Sequence, residues 1–154
     1  MKSLILDALI NHSFFDGLDS RELHFIRPFF EYSERKKGEI LYNEGEKNQY
    51  VYFIIEGIIG LYKFNKNGEP KLIVKIGPNK VVGESALIDD SPKFVTAYAE
   101  KDLKLLILSH KEFEKLSKKF PKIGIKILRN ILKFYNLLFQ KVFSYYFNKE
   151  EESN

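Results

Sequence analysis

The sequence predicts a mainly β domain of the jelly-roll or small-barrel kind, with helices at both ends. Three observations carry that expectation. Runs of β-branched and aromatic residues recur at short spacing between residues 31 and 108. Gly, Pro and Asn turn signals separate them, and no helical period interrupts them. Helical patterning is confined to the first thirty residues and to residues 109–148. Composition agrees: the 154 residues are 44% hydrophobic and 30% charged, enough for a true core. Fourteen Phe and nine Tyr bring the aromatic share to 15%, which suits strands and tightly packed faces.

Taken in order, residues 3–15 place Leu4, Ile5, Ala8 and Leu9 at helical spacing, followed by a hydrophobic anchor, Phe14-Phe15. A second short helix opens at Asp19, an N-cap residue whose box is closed by Glu22, and Pro28 ends it. Strands are expected over 39–42, 50–55, 58–64, 71–76, 80–82, 94–99 and 103–108, making seven or eight in all. Asn67-Gly68 marks a hairpin, because a type I′ turn needs positive φ at both central positions. Ser109 caps the next helix, with Glu112 three positions on.

After Pro121 a long helix is expected to run to about residue 148. Leu128, Ile131, Tyr135, Leu138, Val142 and Tyr145 follow heptad spacing, and Leu132, Phe139 and Tyr146 form a second row. A helix apolar on two faces needs two partners, here its own barrel and a second copy, which predicts a homodimer through residues 121–148. Residues 149–154 read as a solvated tail. The chain is thus one domain, 1–154, with N-terminal helices over 1–30, the strands over 31–108 and C-terminal helices over 109–148.

Several functions are disfavoured by what the residues supply. With no Cys there is no disulfide, thiolate site or cysteine nucleophile. His12, His24 and His110 fall on three different helix ends, a poor start for a metal site. The net charge of +4 is a mild excess with no basic stripe. Arg35-Lys36-Lys37 and the group Lys115, Lys118, Lys119 and Lys122 read as solvated surface. Glu44 and Glu46, flanking Gly45, read as turn residues. No segment has the pattern of a secretion signal or membrane span, so a cytoplasmic protein without membrane contact is expected.

The segment that carries chemistry begins at Val81-Val82-Gly83-Glu84-Ser85-Ala86-Leu87 and ends at Pro92-Lys93-Phe94-Val95-Thr96. A strand is expected to end at Gly83, a helical turn to span 84–88, and the next strand to start at Lys93. Unpaired N–H groups at such a turn donate to anionic oxygens, and glycine lets backbone approach a ligand. Lys93 supplies a cation to neutralise a phosphate, and Glu84 supplies acceptors for sugar hydroxyls. Asp89 and Asp90 read as solvent-facing turn residues.

These residues stand in a particular order. Two helices come first, then Lys37-Gly38-Glu39-Ile40-Leu41-Tyr42-Asn43-Glu44-Gly45-Glu46, then 51–62 with Glu56-Gly57, then Gly83-Glu84. Over 14–147 the chain resembles the cyclic nucleotide-binding domains of catabolite activator-type regulators, kinase regulatory subunits and gated channels. The resemblance implies an eight-stranded jelly-roll β-barrel, a phosphate-binding cassette and a C-terminal helix that serves as lid or dimer contact. The family cassette reads Gly-Glu-x-Ala-Leu, a loop, then Pro-Arg and small residues. Gly83, Glu84, Ala86, Leu87, Pro92 and Thr96 match it. It implies that Glu84 holds the ribose 2′-hydroxyl and that the amides of Ser85 and Ala86 face the cyclic phosphate. The arginine position is Lys93, and Phe94 and Val95 stand where small residues are usual. If either points inward, it occupies ligand space.

The ligand-binding set is therefore Gly83, Glu84, Ser85, Ala86, Lys93, Phe94, Val95 and Thr96. The leading expectation is a non-enzymatic, stand-alone sensor of cyclic AMP or cyclic GMP, with no cofactor beyond that ligand. It passes its state to an effector protein through the C-terminal helix. With no helix-turn-helix after the long helix, direct DNA binding is not expected. The alternative is an interaction or dimerisation module whose pocket is filled by Phe94 and Val95. A metal-dependent cupin-type enzyme needs strand histidines, and none is present.

Overall fold

The computed structural model of the chain describes residues 2–47 and 49–152. The described residues hold eight strands: β1 Glu31–Arg35, β2 Ile40–Tyr42, β3 Tyr50–Glu56, β4 Ile59–Phe64, β5 Pro70–Ile76, β6 Val81–Val82, β7 Thr96–Ala99 and β8 Leu103–Ser109. They form two four-stranded antiparallel sheets, ordered β1-β8-β3-β6 and β2-β7-β4-β5. The mainly β architecture with flanking helices agrees with the sequence. The closed barrel does not: the strand-to-strand backbone ladders stay within each sheet, and the two pack face to face over a shared core. With only two residues, β6 makes a short edge strand of the first sheet.

Each sheet lives in a different environment, and the sequence records it. Ile54, Leu105 and Ile107 of the first sheet meet Ile59, Ala97 and Ala99 of the second in the inter-sheet core. Alternate residues Val51, Phe53, Leu106 and Leu108 point the other way, into a second core built with the helices. Covered on both faces, β3 and β8 read as nearly continuous apolar runs rather than as alternating ones. In contrast β5, the outer strand of the second sheet, has Leu72, Ile73 and Val74 exposed.

The β4–β5 hairpin corrects one detail. Of Asn67 and Gly68, only Gly68 adopts positive φ, +78°. The carboxamide oxygen of Asn65 accepts from the amides of Asn67 and Glu69, both at 2.9 Å. The loop therefore closes as a turn followed by a left-handed glycine instead of a two-residue type I′ turn.

Among the described residues four α-helices flank the sheets: α1 Lys2–Asn11, α2 Ser20–Ile26, α3 His110–Lys119 and α4 Pro121–Glu152. The first ends at Asn11, and a separate 3-10 turn, Ser13–Phe15, buries Phe14 and Phe15 in the helical core. At α2 the expected reciprocal cap forms: Glu22 N–H donates to Asp19 at 2.8 Å and Asp19 N–H to Glu22 at 2.9 Å. The α3 cap forms through Ser109, whose hydroxyl accepts from Glu112 N–H at 3.1 Å.

The long helix is docked over its first half. Ile123, Ile127 and Ile131 are buried in the helical core. Lys126 donates to Glu22 at 2.9 Å, and Asn130 donates to the carbonyls of Phe14 and Asp16 at 2.8 and 2.9 Å. Beyond that point apolar side chains stand exposed, including the row Leu132, Phe139 and Tyr146. The helix continues to Glu152, so residues 149–152 are helical and not the expected tail. Residues 153 and 154 lie outside the described residues.

Candidate functional site

The cassette is built around a glycine that no other residue replaces without strain. Gly83 follows β6 with φ +78°, and a Cβ there would lie 2.7 Å from the carbonyl oxygen of Tyr50. The chain then makes one 3-10 turn, Glu84–Leu87. The Ala86 N–H closes that turn by donating to the Gly83 carbonyl at 3.1 Å. Ala86 and Leu87 are buried, and His110 Nδ1 sits 2.6 Å from the Ala86 carbonyl, fastening the turn to α3. Residues 88–92 then swing into solvent, where Asp89 accepts from Ser91 N–H at 2.9 Å.

Lys93 brings the chain back. The next strand was expected to start here, but β7 begins at Thr96. Lys93 instead pairs with the β2–β3 turn: its N–H donates to the Glu46 carbonyl at 2.9 Å, and its carbonyl accepts from Gly45 N–H at 2.6 Å. The side chain points inward and is only 6% exposed. Its ammonium donates to Ser85 Oγ at 2.6 Å and to the Gly83 carbonyl at 3.3 Å, and lies 5.7 Å from the ring centre of Tyr42. Burial lowers its pKa, while the charges of Glu84 and Asp89 oppose that shift.

Glu84 is the matching acid. Burial pushes its carboxyl pKa up, against its own backbone N–H and the nearby Lys93 charge. Its carboxylate accepts a hydrogen bond from the hydroxyl of Tyr135, on α4. The resulting cavity, about 170 Å³, is lined by Gly83, Glu84, Ser85, Lys93 and Val95, with Tyr42 opposite and Phe134, Tyr135 and Leu138 of α4 above.

Six of the eight residues selected from the sequence meet at this cavity; Ala86 and Thr96 do not line it. Ala86 is packed in the helical core. Thr96 is buried with its hydroxyl accepting from Glu44 N–H at 3.0 Å, a structural bond within the second sheet's loops. Phe94 lies at the rim and is 76% exposed, with its carbonyl accepting from Lys63 at 2.6 Å. It is therefore not the side chain that fills the pocket. From α4, outside that set, Phe134, Tyr135 and Leu138 also line the cavity. Tyr42 was missed as a site residue; its motif position drew attention only to the fold.

A larger cavity, about 330 Å³, lies between α1 and the first sheet and contains none of the cassette residues. Among the described residues no group of His, Asp and Glu could hold a metal ion, and no helix is long and apolar enough to cross a membrane.

Fold and site together define a two-sheet β domain with a glycine-turn cavity roofed by its terminal helix. The family model for the cyclic nucleotide-binding domain matches residues 33–120, and the chain belongs to that family. It is 24% identical over 110 residues to the cyclic AMP receptor protein of Thermus thermophilus, covering 71% of this chain and 51% of that one. It is 28% identical over 109 residues to the cAMP-dependent protein kinase regulatory subunit of Dictyostelium discoideum, covering 71% of this chain and 33% of that one. The chain thus spans about half, or less, of the length of these curated relatives. A cyclic nucleotide-binding domain from Methylobacillus flagellatus superposes with a TM-score of 0.81 at 22% identity, over 96% of this chain and 83% of that one.

Proposed function

We propose that this chain is a non-enzymatic, cytoplasmic cyclic nucleotide sensor that takes cyclic AMP or cyclic GMP at the Gly83–Lys93 loop and reports occupancy through α4. The observation that carries the reading is the convergence of Glu84, Ser85 and Lys93 on one cavity whose roof is the terminal helix. Glu84 would receive the ribose 2′-hydroxyl, and the Ser85 amide with the Lys93 ammonium would receive the cyclic phosphate. The two curated relatives, named for cyclic AMP, support the ligand class. Lysine in place of arginine retains charge but loses the planar two-pronged donor. One fewer charge-assisted hydrogen bond weakens phosphate binding about ten- to a hundredfold.

At about 170 Å³ the cavity is smaller than the roughly 300 Å³ at which small-molecule sites begin. Nucleotide entry therefore requires α4 to yield. That requirement makes the helix a reporter, since a ligand shifts an equilibrium only by its unequal affinity for the two states. The exposed row Leu132, Phe139 and Tyr146 supplies the surface for a second copy or an effector protein; we assign it to a homodimer.

A second reading is a ligand-free interaction module. It is favoured by the same small cavity and by Lys93 and Glu84 already having partners in Ser85 and Tyr135. The test is calorimetry on protein unfolded and refolded to strip carried-over ligand. Micromolar or tighter binding of either cyclic nucleotide is expected. No heat, together with no rise in melting temperature at millimolar nucleotide, would overturn the sensor in favour of the module.

A further inference from the structure

We propose that Tyr135 and the ligand's sugar hydroxyl compete for the Glu84 carboxylate, so that Tyr135 sets nucleotide affinity and ties occupancy to the position of α4. This rests on the nucleotide reading above.

Three observations meet at this contact. First, the Tyr135 hydroxyl donates to Glu84 Oε1, the side chain to which the sugar would have to bind. Second, the Glu84 carboxylate is partly withdrawn from water, so its acceptor positions need donors. The phenol and the residue's own backbone N–H meet that need. Third, the contact lies where α4 changes character. Up to Ile131 one face of the helix, carrying Ile123, Ile127 and Ile131, is buried, and Lys126 and Asn130 clamp it. One turn on, Phe134 packs on Phe14 with ring centres 5.5 Å apart, and Tyr135 holds Glu84. From Leu137 onward the apolar side chains of α4 stand exposed. Tyr135 is thus a latch at the boundary between the anchored and the unanchored halves.

The chemistry of the exchange makes the competition measurable. The phenol donates to Oε1 of Glu84, and a sugar O–H taking that same oxygen would replace one single donor by another, leaving the number of hydrogen bonds unchanged. In the native chain a 2′-hydroxyl therefore adds little net affinity. Removing the phenol oxygen while keeping the ring leaves Glu84 without that donor, and the 2′-hydroxyl then contributes a full charge-assisted bond. That contribution corresponds to roughly ten- to a hundredfold in affinity.

The experiment compares the native chain with Tyr135→Phe, each titrated with cyclic AMP and with 2′-deoxy cyclic AMP, alongside hydrogen exchange of α4 with and without nucleotide. The native chain is expected to bind the two ligands within about threefold of one another, because the exchange there is hydroxyl for hydroxyl. Tyr135→Phe is expected to bind cyclic AMP about tenfold or more tighter, to leave the deoxy ligand unchanged, and so to acquire discrimination. Exchange beyond residue 135 is expected to rise on cyclic AMP binding in the native chain, and to be raised already in empty Tyr135→Phe. A variant that binds both ligands as the native chain does, with unchanged exchange, overturns the latch and leaves the sensor reading standing. Absence of binding in both proteins at millimolar nucleotide overturns the sensor reading and the latch with it. Binding by Tyr135→Phe alone supports both.

Discussion

The ammonium of Lys93 lies 2.6 Å from the hydroxyl of Ser85, eight residues earlier, and closes the cassette loop upon itself. With its further bond to the Gly83 carbonyl, one cation ties the end of the loop to its beginning. A loop held this way is ordered before any ligand arrives, and the cation that would meet a phosphate must first share its donors.

That arrangement makes opposite predictions for two substitutions. Lys93→Met leaves Ser85 Oγ and the Gly83 carbonyl without their donor and should lower stability by roughly 1–3 kcal/mol, measured by urea unfolding. Lys93→Arg should tighten cyclic nucleotide binding about ten- to a hundredfold in calorimetry. Unchanged affinity in the arginine variant would mean that this side chain does not face the phosphate.

Gly83 and Gly68 share φ +78° but not surroundings. A Cβ at Gly68 meets nothing within 4 Å, whereas one at Gly83 meets the Tyr50 carbonyl at 2.7 Å. Gly68→Ala should therefore cost only the left-handed backbone penalty, about 1–2 kcal/mol. Gly83→Ala should cost clearly more, because backbone must also move. Equal denaturation midpoints for the two variants would refute the steric account.

His12 should make stability depend on pH. It is 3% exposed, packed against Phe14, Phe15 and Phe53, and its Nδ1 accepts from Phe14 N–H at 3.3 Å. The proton therefore sits on Nε2, and burial pushes the pKa down to about 4. Below pH 6.5 the unfolded chain takes up a proton that the folded chain refuses, so stability falls as pH drops from about 6.5 toward 4. The slope approaches 1.4 kcal/mol per pH unit and the total is roughly 3 kcal/mol. The stability contribution is complete above that window. Glu22, whose pKa is lowered chiefly by Lys126, adds a loss of the same sign at more acidic pH. Comparing urea midpoints for the native chain and His12→Phe between pH 7 and 4.5 isolates the histidine. Parallel curves would show that it is not the cause.

The assigned homodimer predicts that Leu132→Glu and Phe139→Glu, at positions 68% and 64% exposed in the single chain, leave folding intact and abolish association. Sedimentation equilibrium at tens of micromolar should show a dimer for the native chain and monomers for both variants. A native chain that sediments as a monomer would remove the second copy as the occupant of this face.

Much of the fold is legible in the residues because the signals are short-range. The Asp19–Glu22 box and the Ser109 cap each operate across three positions, and both form. The hairpin at Asn67-Gly68 forms where expected, but Asn65 changes its turn type by taking two amides of the same loop. Barrel closure was the less legible feature. It depends on whether edge strands from different sheets meet, a long-range property that no local pattern encodes.

The site divides along the same line. Sequence by itself determined the strand-rich stretch between residues 31 and 108, the glycine turn after β6 and the presence of an acid and a cation ten residues or fewer apart within one loop. Only the tertiary structure decided that Lys93 turns inward, that Phe94 turns out and that Tyr135 rests on Glu84 across 51 residues of chain. The reason is physical. Caps and turns are settled by backbone groups within a few residues of each other, whereas the direction of a loop side chain follows from which surface is already covered. Here the docking of α4 through Ile123, Ile127 and Ile131 sets the rotation that presents Tyr135 to the cavity.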